Sequence, residues 1–224
     1  MLTYLNSWGG GNLTEHEDKH PFVECATFAD DYKYHGEGWQ GDFHFIDIPN
    51  YETGAASDYD FETEDRNLTY ALTDIVAWLS GKQGDSYKQG YMYNYLMPKF
   101  GNDEDLSKSY ALRLLVHYVG DLVQPFHCET RFNDEFNTSD GDKGANMFPL
   151  KYHYDVDELH ALWDKILYDG YHNIPRPIDD DSWAELQLDV SDVMINYAYA
   201  VSDSSKYESL DYHSYAQESF DIAT

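Results

Sequence analysis

Segment 117–127, which reads HYVGDLVQPFH, places two histidines and an aspartate at short spacing. His117 and Asp121 stand four residues apart at the end of a run with helical apolar spacing, so both side chains should project from one helix face. Pro125 is expected to end that helix, because proline lacks an N–H and disfavours helical geometry in the preceding residue. His127 follows this stop and can turn back towards the same spot. Zinc accepts imidazole nitrogen and carboxylate oxygen, so the segment predicts part of a metal site, with a hydrogen-bonded helix end as the alternative.

The same spacing between a histidine and an aspartate recurs at His160 and Asp164, on a second predicted helix from residue 157 to about 168. Upstream, Asp30 and His44 add another carboxylate and imidazole. One such pair is common in helices, whereas two pairs with a third cluster favour a metal centre over unrelated helix ends. The candidate ligands are too many for one tetrahedral zinc and suit a cluster of ions: Asp30, His44, His117, Asp121, His127, His160 and Asp164.

Helices are predicted to position these side chains. Asp30 falls on a predicted short helix over residues 22–34, and His44 lies in a predicted extended piece over 43–47. Asn67 is the predicted N-cap of a helix over 70–79 that carries an apolar stripe. Since no convincing alternating strands occur, the sequence predicts an all-α fold with long loops around a metal cleft. The other predicted elements are a central helix over 105–122, a last helix from about Ser182 with its apolar stripe at Leu186, Val190, Val193, Met194 and Tyr197, loops over 51–65, 81–103 and 129–154, and a polar tail beyond 202.

Composition narrows the classes of function. The 224 residues suit a single domain, 1–224, with an irregular lead-in over 1–21. The 42 acidic residues against 14 basic ones give a net charge of −28. This charge argues against binding long duplex nucleic acid through its phosphate backbone, which needs a basic face, but not against binding a small phosphate ester. Apolar runs are far shorter than the roughly eighteen residues of a membrane span. Cys25 and Cys128 are too few for a disulfide framework, so buried thiols are expected, with one bridge as the alternative.

Several segments, taken in order, resemble one known family. Segment 117–127 resembles the signature of the zinc-dependent single-strand nucleases, also called bifunctional nucleases or 3′-nucleotidases, whose fold is shared by the bacterial zinc phospholipases C. Residues 29–33 (ADDYK), 43–47 (FHFID), 144–147 (GANM) and 159–164 (LHALWD) are similar to further segments of that family. The resemblance spans roughly residues 22 to 200 and so covers most of the chain.

This resemblance implies a metal-dependent phosphodiesterase that cleaves single-stranded DNA or RNA, and 3′-nucleotides, leaving 5′-phosphates. Water activated between metals would attack phosphorus, and Asp30 would orient that water. In the family, the aspartate matched by Asp121 also contacts a third zinc. The implied first zinc site is Asp30, His44, His117 and Asp121, and the implied second site is His127, His160 and Asp164.

The resemblance also implies how substrate is held. Phe45 would stack on a nucleobase, which suits single strands because unpaired bases offer their faces. Asp47 would hydrogen-bond the base edge, and Asn146 lies in a matching substrate-binding segment. Lys33 falls where the family often has an arginine on the phosphate, so it is a catalytic candidate that keeps the charge but loses the two-pronged hydrogen bond.

One family feature has no match. The third zinc is held by an N-terminal tryptophan and a nearby histidine, on a helix that would precede residue 1. Trp8 and His16 are the nearest substitutes, but the glycines at 9–11 would break a helix, so Trp8 is interpreted as a loop or core residue. We expect the N-terminal helix and the C-terminal closing helix to be missing and two zinc ions to be bound. The alternatives are a zinc phospholipase C and a catalytically impaired zinc-binding fragment.

The sequence also carries signals of location and partners. Three sequons, at Asn12, Asn67 and Asn137, favour a secreted protein or one in a lysosomal or vacuolar lumen. Residues 1–4 lack the basic head and apolar stretch of a signal peptide. The expected partner is a single-stranded nucleic acid or nucleotide substrate; no protein partner is evident, and a monomer is expected.

Overall fold

The computed structural model describes residues 14–82, 84–137, 139–151, 156–165, 174–196 and 210–224. Within these ranges the fold is helical apart from one pair of short strands, which confirms the predicted all-α class. No described helix is long and apolar enough to cross a bilayer. The helices are Pro21–Glu24 (α1), Phe28–Tyr34 (α2), Leu68–Ser80 (α3), Tyr91–Lys99 (α4), Glu104–Val123 (α5), Pro125–Cys128 (α6), Leu159–Asp164 (α7), Asp180–Asn196 (α8) and Tyr212–Ala223 (α9), and the strands are Ile48–Tyr51 (β1) and Glu129–Phe132 (β2).

Helix α5 lies at the centre of the core. It begins where the Asp103 side chain accepts a hydrogen bond from the backbone N–H of Leu106, which satisfies one orphan donor of the first turn. Tyr110, Leu114 and Tyr118 repeat at four-residue spacing and are completely buried. Helices α3, α4 and α9 pack against α5, so the end that carries the predicted metal motif rests on a packed scaffold.

Helix α3 confirms the prediction made from its local signals. Asn67 is its N-cap and accepts a hydrogen bond from the N–H of Tyr70. Leu72 and Ile75 are fully buried, and the helix ends at Gly81, whose φ of +61° is a conformation that glycine adopts without steric cost.

The predicted loop over 81–103 is wrong, because it contains α4. The start of α4 is capped by a residue of α3, because the Asp74 carboxylate accepts a hydrogen bond of 2.7 Å from the N–H of Met92. Gly90 permits the approach, since a Cβ there would lie 1.8 Å from an Asp74 oxygen. Met92 and Leu96 then bury one face of α4. A cap supplied from another helix leaves no local pattern to find.

The predicted extended piece over 43–47 is also wrong in its first half. Phe43 and His44 end a 3₁₀ helix, Gly38–His44, and the chain becomes extended only at Phe45. Strand β1 follows and pairs in parallel with β2, with Ile48 opposite Glu129. Strand β2 lies wholly within the predicted loop over 129–154, and the last residue of β1 begins the predicted loop over 51–65. Each strand is too short to show alternation.

Two further predicted helices are present with adjusted bounds, and the predicted tail contains a helix that the sequence analysis missed. The predicted helix over 22–34 is divided into α1, a 3₁₀ turn over Cys25–Thr27, and α2. The last predicted helix is α8, whose Val190 and Met194 are about half exposed. The tail predicted to be polar contains α9, which buries Tyr212 and Ala216. Trp8 and residues 166–168 of the predicted His160 helix lie outside the described residues.

Both cysteines are buried and free, as expected. Each thiol points to a nearby backbone oxygen: Cys25 Sγ to the carbonyl of Phe22 and Cys128 Sγ to that of Leu122. Burial raises the pKa of each thiol to about 12, so the two groups are unreactive packing residues rather than metal ligands.

Candidate metal centre

The junction of α5 and α6 brings the segment 117–127 into the predicted arrangement. His117 Nε2 lies 3.3 Å from Asp121 Oδ2, one helical turn on. Gln124 ends α5, and its side chain accepts a hydrogen bond from the N–H of Phe126, so it also caps α6. Pro125 ends α5 as predicted and occupies the first turn of α6, where its missing N–H costs nothing. The short helix turns His127 back, and its Nδ1 lies 3.8 Å from Asp121.

A first group of possible ligands comprises Asp30, His44 and His117, whose donor atoms all lie within 4.8 Å of one another. His44 Nδ1 is 3.7 Å from Asp30 and 3.2 Å from His117 Nε2. Asp121 faces the same group, because its Oδ2 lies 3.0 Å from His44 Nδ1. Asp30 is the accessible member, with 47% of its side chain exposed, whereas the His44 side chain is 1% exposed.

Buried polar contacts hold the first group in place. Gln40 donates a hydrogen bond to the carbonyl of Ala29 and accepts one from the Tyr118 hydroxyl. Gln40 lies in the 3₁₀ helix that ends at His44. Its two hydrogen bonds connect this helix to α2, through the residue before Asp30, and to α5, through the residue after His117.

A second group comprises His127, His160 and Asp164, again with donor atoms within 4.8 Å. Asp164 Oδ1 lies 3.3 Å from His127 Nε2, and Asp164 Oδ2 lies 3.5 Å from His160 Nε2. The His160 and Asp164 pair occupies one face of α7, as its spacing predicts, and Gln124 donates a hydrogen bond to the same aspartate. All seven predicted ligand residues therefore lie in or beside two neighbouring groups.

Backbone carbonyls orient three of the four imidazoles. The Nδ1 atoms of His117, His127 and His160 lie 2.6–2.7 Å from the carbonyl oxygens of Ala26, His44 and Gly144, in that order. A neutral ring that donates through Nδ1 leaves Nε2 as a bare acceptor, which is how ligating histidines are normally held. His44 differs, because its Nδ1 faces the group while its Nε2 is buried and has no hydrogen-bond partner among the described residues.

This arrangement of lone pairs fits a metal ion. When His117 is neutral and donates from Nδ1, its Nε2 is an acceptor that lies 3.2 Å from the His44 Nδ1, and carboxylate oxygens surround both nitrogens. A cation among them would satisfy every one of these acceptors at once. Nitrogen and oxygen donors without sulfur suit zinc and other divalent first-row ions.

Asp121 is a buried carboxylate surrounded by histidines. Burial acts to raise the pKa of this carboxyl, but the charges of His117 and His127 and hydrogen bonds from His117 and His44 hold it well below its usual range. Burial acts to lower the pKa of His117, yet Asp121 and Asp30 raise it to about 9. For His44 and His160 burial prevails, and the pKa lies below the ordinary histidine value. The negative charge of the buried Asp121 therefore stabilises positive charge within the site.

A cavity of about 330 Å³ opens beside the two groups. The Phe45 ring stacks on His127, with centroids 4.9 Å apart and planes 11° from parallel. Lys33 Nζ lies 5.8 Å from the same ring and 3.6 Å from Asp30, so its charge lies between the cavity and the first group. Burial raises the pKa of Asp47 to about 7. The lining residues are Phe45, Asp47, Phe61, Thr130, Asp140, Lys143 and Asn146.

The sequence analysis missed four of these lining residues. Phe61 lies in a predicted acidic loop with no periodicity, and Thr130, Asp140 and Lys143 lie in or beside the loop predicted over 129–154. The glycines at 141 and 144 are the one available signal, because they indicate tight turns within that loop.

Comparison with known proteins identifies the class. The family model for S1/P1 nuclease matches residues 9–224, so the chain belongs to the S1/P1 nuclease family, and the predicted resemblance is confirmed. It is 29% identical to nuclease P1 of Penicillium citrinum over 184 residues, which cover 80% of this chain and 56% of that protein. It is 30% identical to nuclease S1 of Aspergillus oryzae over 144 residues, which cover 63% of this chain and 40% of that protein. It is 22% identical to endonuclease 4 of Arabidopsis thaliana over 167 residues, which cover 70% of this chain and 48% of that protein. The chain thus spans about half the length of these relatives.

Proposed function

We propose that this chain is a zinc-dependent phosphodiesterase that cleaves single-stranded DNA or RNA to 5′-phosphorylated products and also cleaves 3′-nucleotides. The observation that carries the proposal is the convergence of two His/Asp groups beside a cavity lined by an aromatic ring. Membership of the S1/P1 nuclease family supports the reaction class.

Two zinc ions are assigned to the described residues. Asp30, His44, His117 and Asp121 would hold the first, and His127, His160 and Asp164 would hold the second. Bound there, zinc would supply positive charge for a phosphate and lower the pKa of coordinated water. The buried Asp121, within 3.8 Å of His44, His117 and His127, balances charge for both groups.

The polypeptide contributes the positioning. Asp30 is half exposed at the mouth of the first group, so its carboxylate can accept a hydrogen bond from the attacking water. Lys33, next to Asp30, can donate to a phosphate oxygen, as a point charge rather than a two-pronged contact. These positions support the proposed roles of both residues in catalysis.

The cavity supplies a place for the base. One face of Phe45 is covered by His127, so a base would stack on the other face, and Asp47 would contact the base edge. Apart from a second ring, Phe61, the rest of the lining carries carboxylate, hydroxyl, amide and ammonium groups, which suits a nucleobase better than an acyl chain. This lining favours a nuclease over a phospholipase C.

A secreted or luminal location is part of the proposal and rests on the sequons. At the sequon of Asn67, the side-chain NH₂ group donates to the carbonyl of Glu64 and the side-chain oxygen caps α3. We propose that the protein acts as a monomer on its substrate.

Zinc binding and hydrolysis test the proposal together. The chain loaded with zinc should contain about two ions by mass spectrometry and should hydrolyse single-stranded DNA or a 3′-mononucleotide in preference to duplex DNA and phosphatidylcholine. His160→Ala should lose about one zinc and most activity, since it removes one of three side chains in its group. The matched control is His35→Ala, which removes an exposed imidazole outside both groups. Hydrolysis of phosphatidylcholine alone, or full activity in the zinc-free chain, would reject the proposal.

A further inference from the structure

The cavity of about 330 Å³ that is proposed to hold the nucleobase is lined by a second aromatic side chain and by a lysine, neither of which belongs to a sequence motif. Phe61 and Lys143 line it together with Phe45. Phe61 comes from the loop between β1 and α3, and Lys143 comes from the loop that follows β2. Two separate loops therefore complete a cavity whose other ring stacks on a predicted zinc ligand.

The loop that carries Lys143 is held rigidly. Asp142 accepts a hydrogen bond from the N–H of Arg131 and donates its own N–H to the Arg131 carbonyl. A Cβ on Gly144 would lie 2.2 Å from the carbonyl oxygen of Phe126, so the backbone is pressed against α6 at that point. The Gly144 carbonyl in turn accepts from His160, which ties this loop to the second ligand group.

Backbone strain is concentrated at the same cavity. Among the described residues, four non-glycine residues have positive φ, and three of them line or adjoin it: Asp47 at +49°, Lys143 at +57° and Ala145 at +62°. Such a conformation is unfavourable for a residue with a Cβ and persists only where the surroundings impose it. The backbone at Lys143 is thus fixed, and its side chain, 55% exposed, extends from that fixed point at the edge of the cavity.

Phe61 is held by an aromatic cluster. Its ring centroid lies 5.0 Å from that of Phe132 in β2, and Tyr59 packs 5.1 Å from the same ring. The Tyr59 hydroxyl donates to the carbonyl of Thr53, which closes the base of the loop. This packing presents Phe61 to the cavity without the need for a ligand to order it.

We infer that Phe61 supplies a second stacking surface for the base bound at Phe45, and that Lys143 favours bases with an exocyclic oxygen over adenine. This inference rests on the proposed function, because it assumes that the cavity holds a nucleobase. A lysine ammonium only donates hydrogen bonds. Guanine, hypoxanthine and thymine offer it a carbonyl oxygen, whereas the amino group of adenine is itself a donor. Asp140 occupies one donor of Lys143 at 3.1 Å and leaves two for the ligand.

Binding of small nucleotides measures both effects. Calorimetry on the zinc-loaded chain would use the 5′-monophosphates of deoxyguanosine, deoxyinosine and deoxyadenosine, with deoxyribose 5-phosphate as the ligand without a base. Hypoxanthine differs from adenine only around position 6, so the inosine and adenosine nucleotides form a matched pair. We expect the oxo bases to bind about tenfold tighter than adenine, which is the low end for a hydrogen bond to a charged group.

Two variants separate the roles. Lys143→Met should remove the preference for oxo bases, and Phe61→Ala should weaken every nucleotide by about tenfold or more, as the loss of a stacking partner does. Neither should change the affinity for deoxyribose 5-phosphate. Lys82→Met and Phe22→Ala, at exposed residues outside the cavity, are the controls and should match the unmodified chain.

Several results would overturn the inference: no nucleotide binding, an unchanged base order in Lys143→Met, or equal weakening of deoxyribose 5-phosphate in Phe61→Ala. Phe61→Leu guards against misfolding, since it keeps an apolar side chain in the aromatic cluster and should bind at an intermediate strength. The assay involves no bond cleavage. A chain that binds in the expected order but leaves single-stranded DNA intact would therefore reject the proposed function and keep the base preference.

Discussion

Replacing Asp121 by asparagine should damage zinc binding far more than the same change at Asp47. Asp121 is buried at the end of α5, and its two oxygens lie 3.0 Å from His44, 3.3 Å from His117 and 3.8 Å from His127. Asparagine keeps the shape of the side chain and removes its charge. Asp47 belongs to neither ligand group and lines the cavity instead.

The expected magnitude follows from these distances. At an effective dielectric constant of about 20, a unit positive charge about 3 Å from the carboxylate is stabilised by about 5 kcal/mol. Removing the carboxylate also removes its own cost of burial, and the amide oxygen remains available, so the net loss is smaller. Removal of one partner from a buried ion pair typically costs about 3–5 kcal/mol. We therefore expect zinc to dissociate from Asp121→Asn at least roughly 100-fold more readily.

The assay is zinc content by mass spectrometry after dialysis against a chelator, alongside turnover of single-stranded DNA. Asp121→Asn should lose zinc and activity together. Asp47→Asn should keep its zinc and change the preference among bases, because asparagine tolerates the positive φ of this position while it alters the hydrogen bonds that the cavity offers. Equal loss of zinc in both variants, or full zinc content in Asp121→Asn, would refute the assigned roles.

Three further outcomes are expected. In Gly144→Ala the new Cβ would lie 2.2 Å from a backbone oxygen, so the carbonyl that orients His160 should be displaced and the zinc content should fall by about one ion. Gly36→Ala is the control, because there is open space around Gly36, and it should keep its zinc. Gly90→Ala should lower the free energy of unfolding by about 2 kcal/mol in urea titrations, since its Cβ would overlap the carboxylate that caps α4, and Gly81→Ala should cost only about 1 kcal/mol of backbone strain. Both cysteines should resist iodoacetamide in the folded chain and react in denaturant; a failure to label after unfolding would indicate a disulfide.

The sequence predicted those elements whose signals are local. Helix α3 has its cap and its buried stripe within its own residues, and the same is true of α5. The four-residue spacing from His117 to Asp121 needs only helical geometry to bring the two side chains together. Long periodic segments with local caps are therefore predictable from a single chain.

The elements that were missed depend on contacts between distant segments. Helix α4 is capped by Asp74 from α3, and β1 exists because it pairs with β2, in which Thr130 is aligned with Pro49. Phe61 reaches the cavity through packing on Phe132. None of these contacts leaves a pattern in the local sequence, because the partner that decides the conformation lies elsewhere in the chain.

The two ligand groups are linked through the backbone, which has a consequence for any substitution near them. His127 of the second group is oriented by the carbonyl of His44, a residue of the first group. Asp121 lies within 3.8 Å of both histidines. A shift of the 3₁₀ helix that ends at His44 would therefore move a donor nitrogen in one group and an orienting acceptor for the other. Because residues that share such a network do not act independently, paired substitutions across the two groups should be non-additive, and zinc loss from one group should weaken the other.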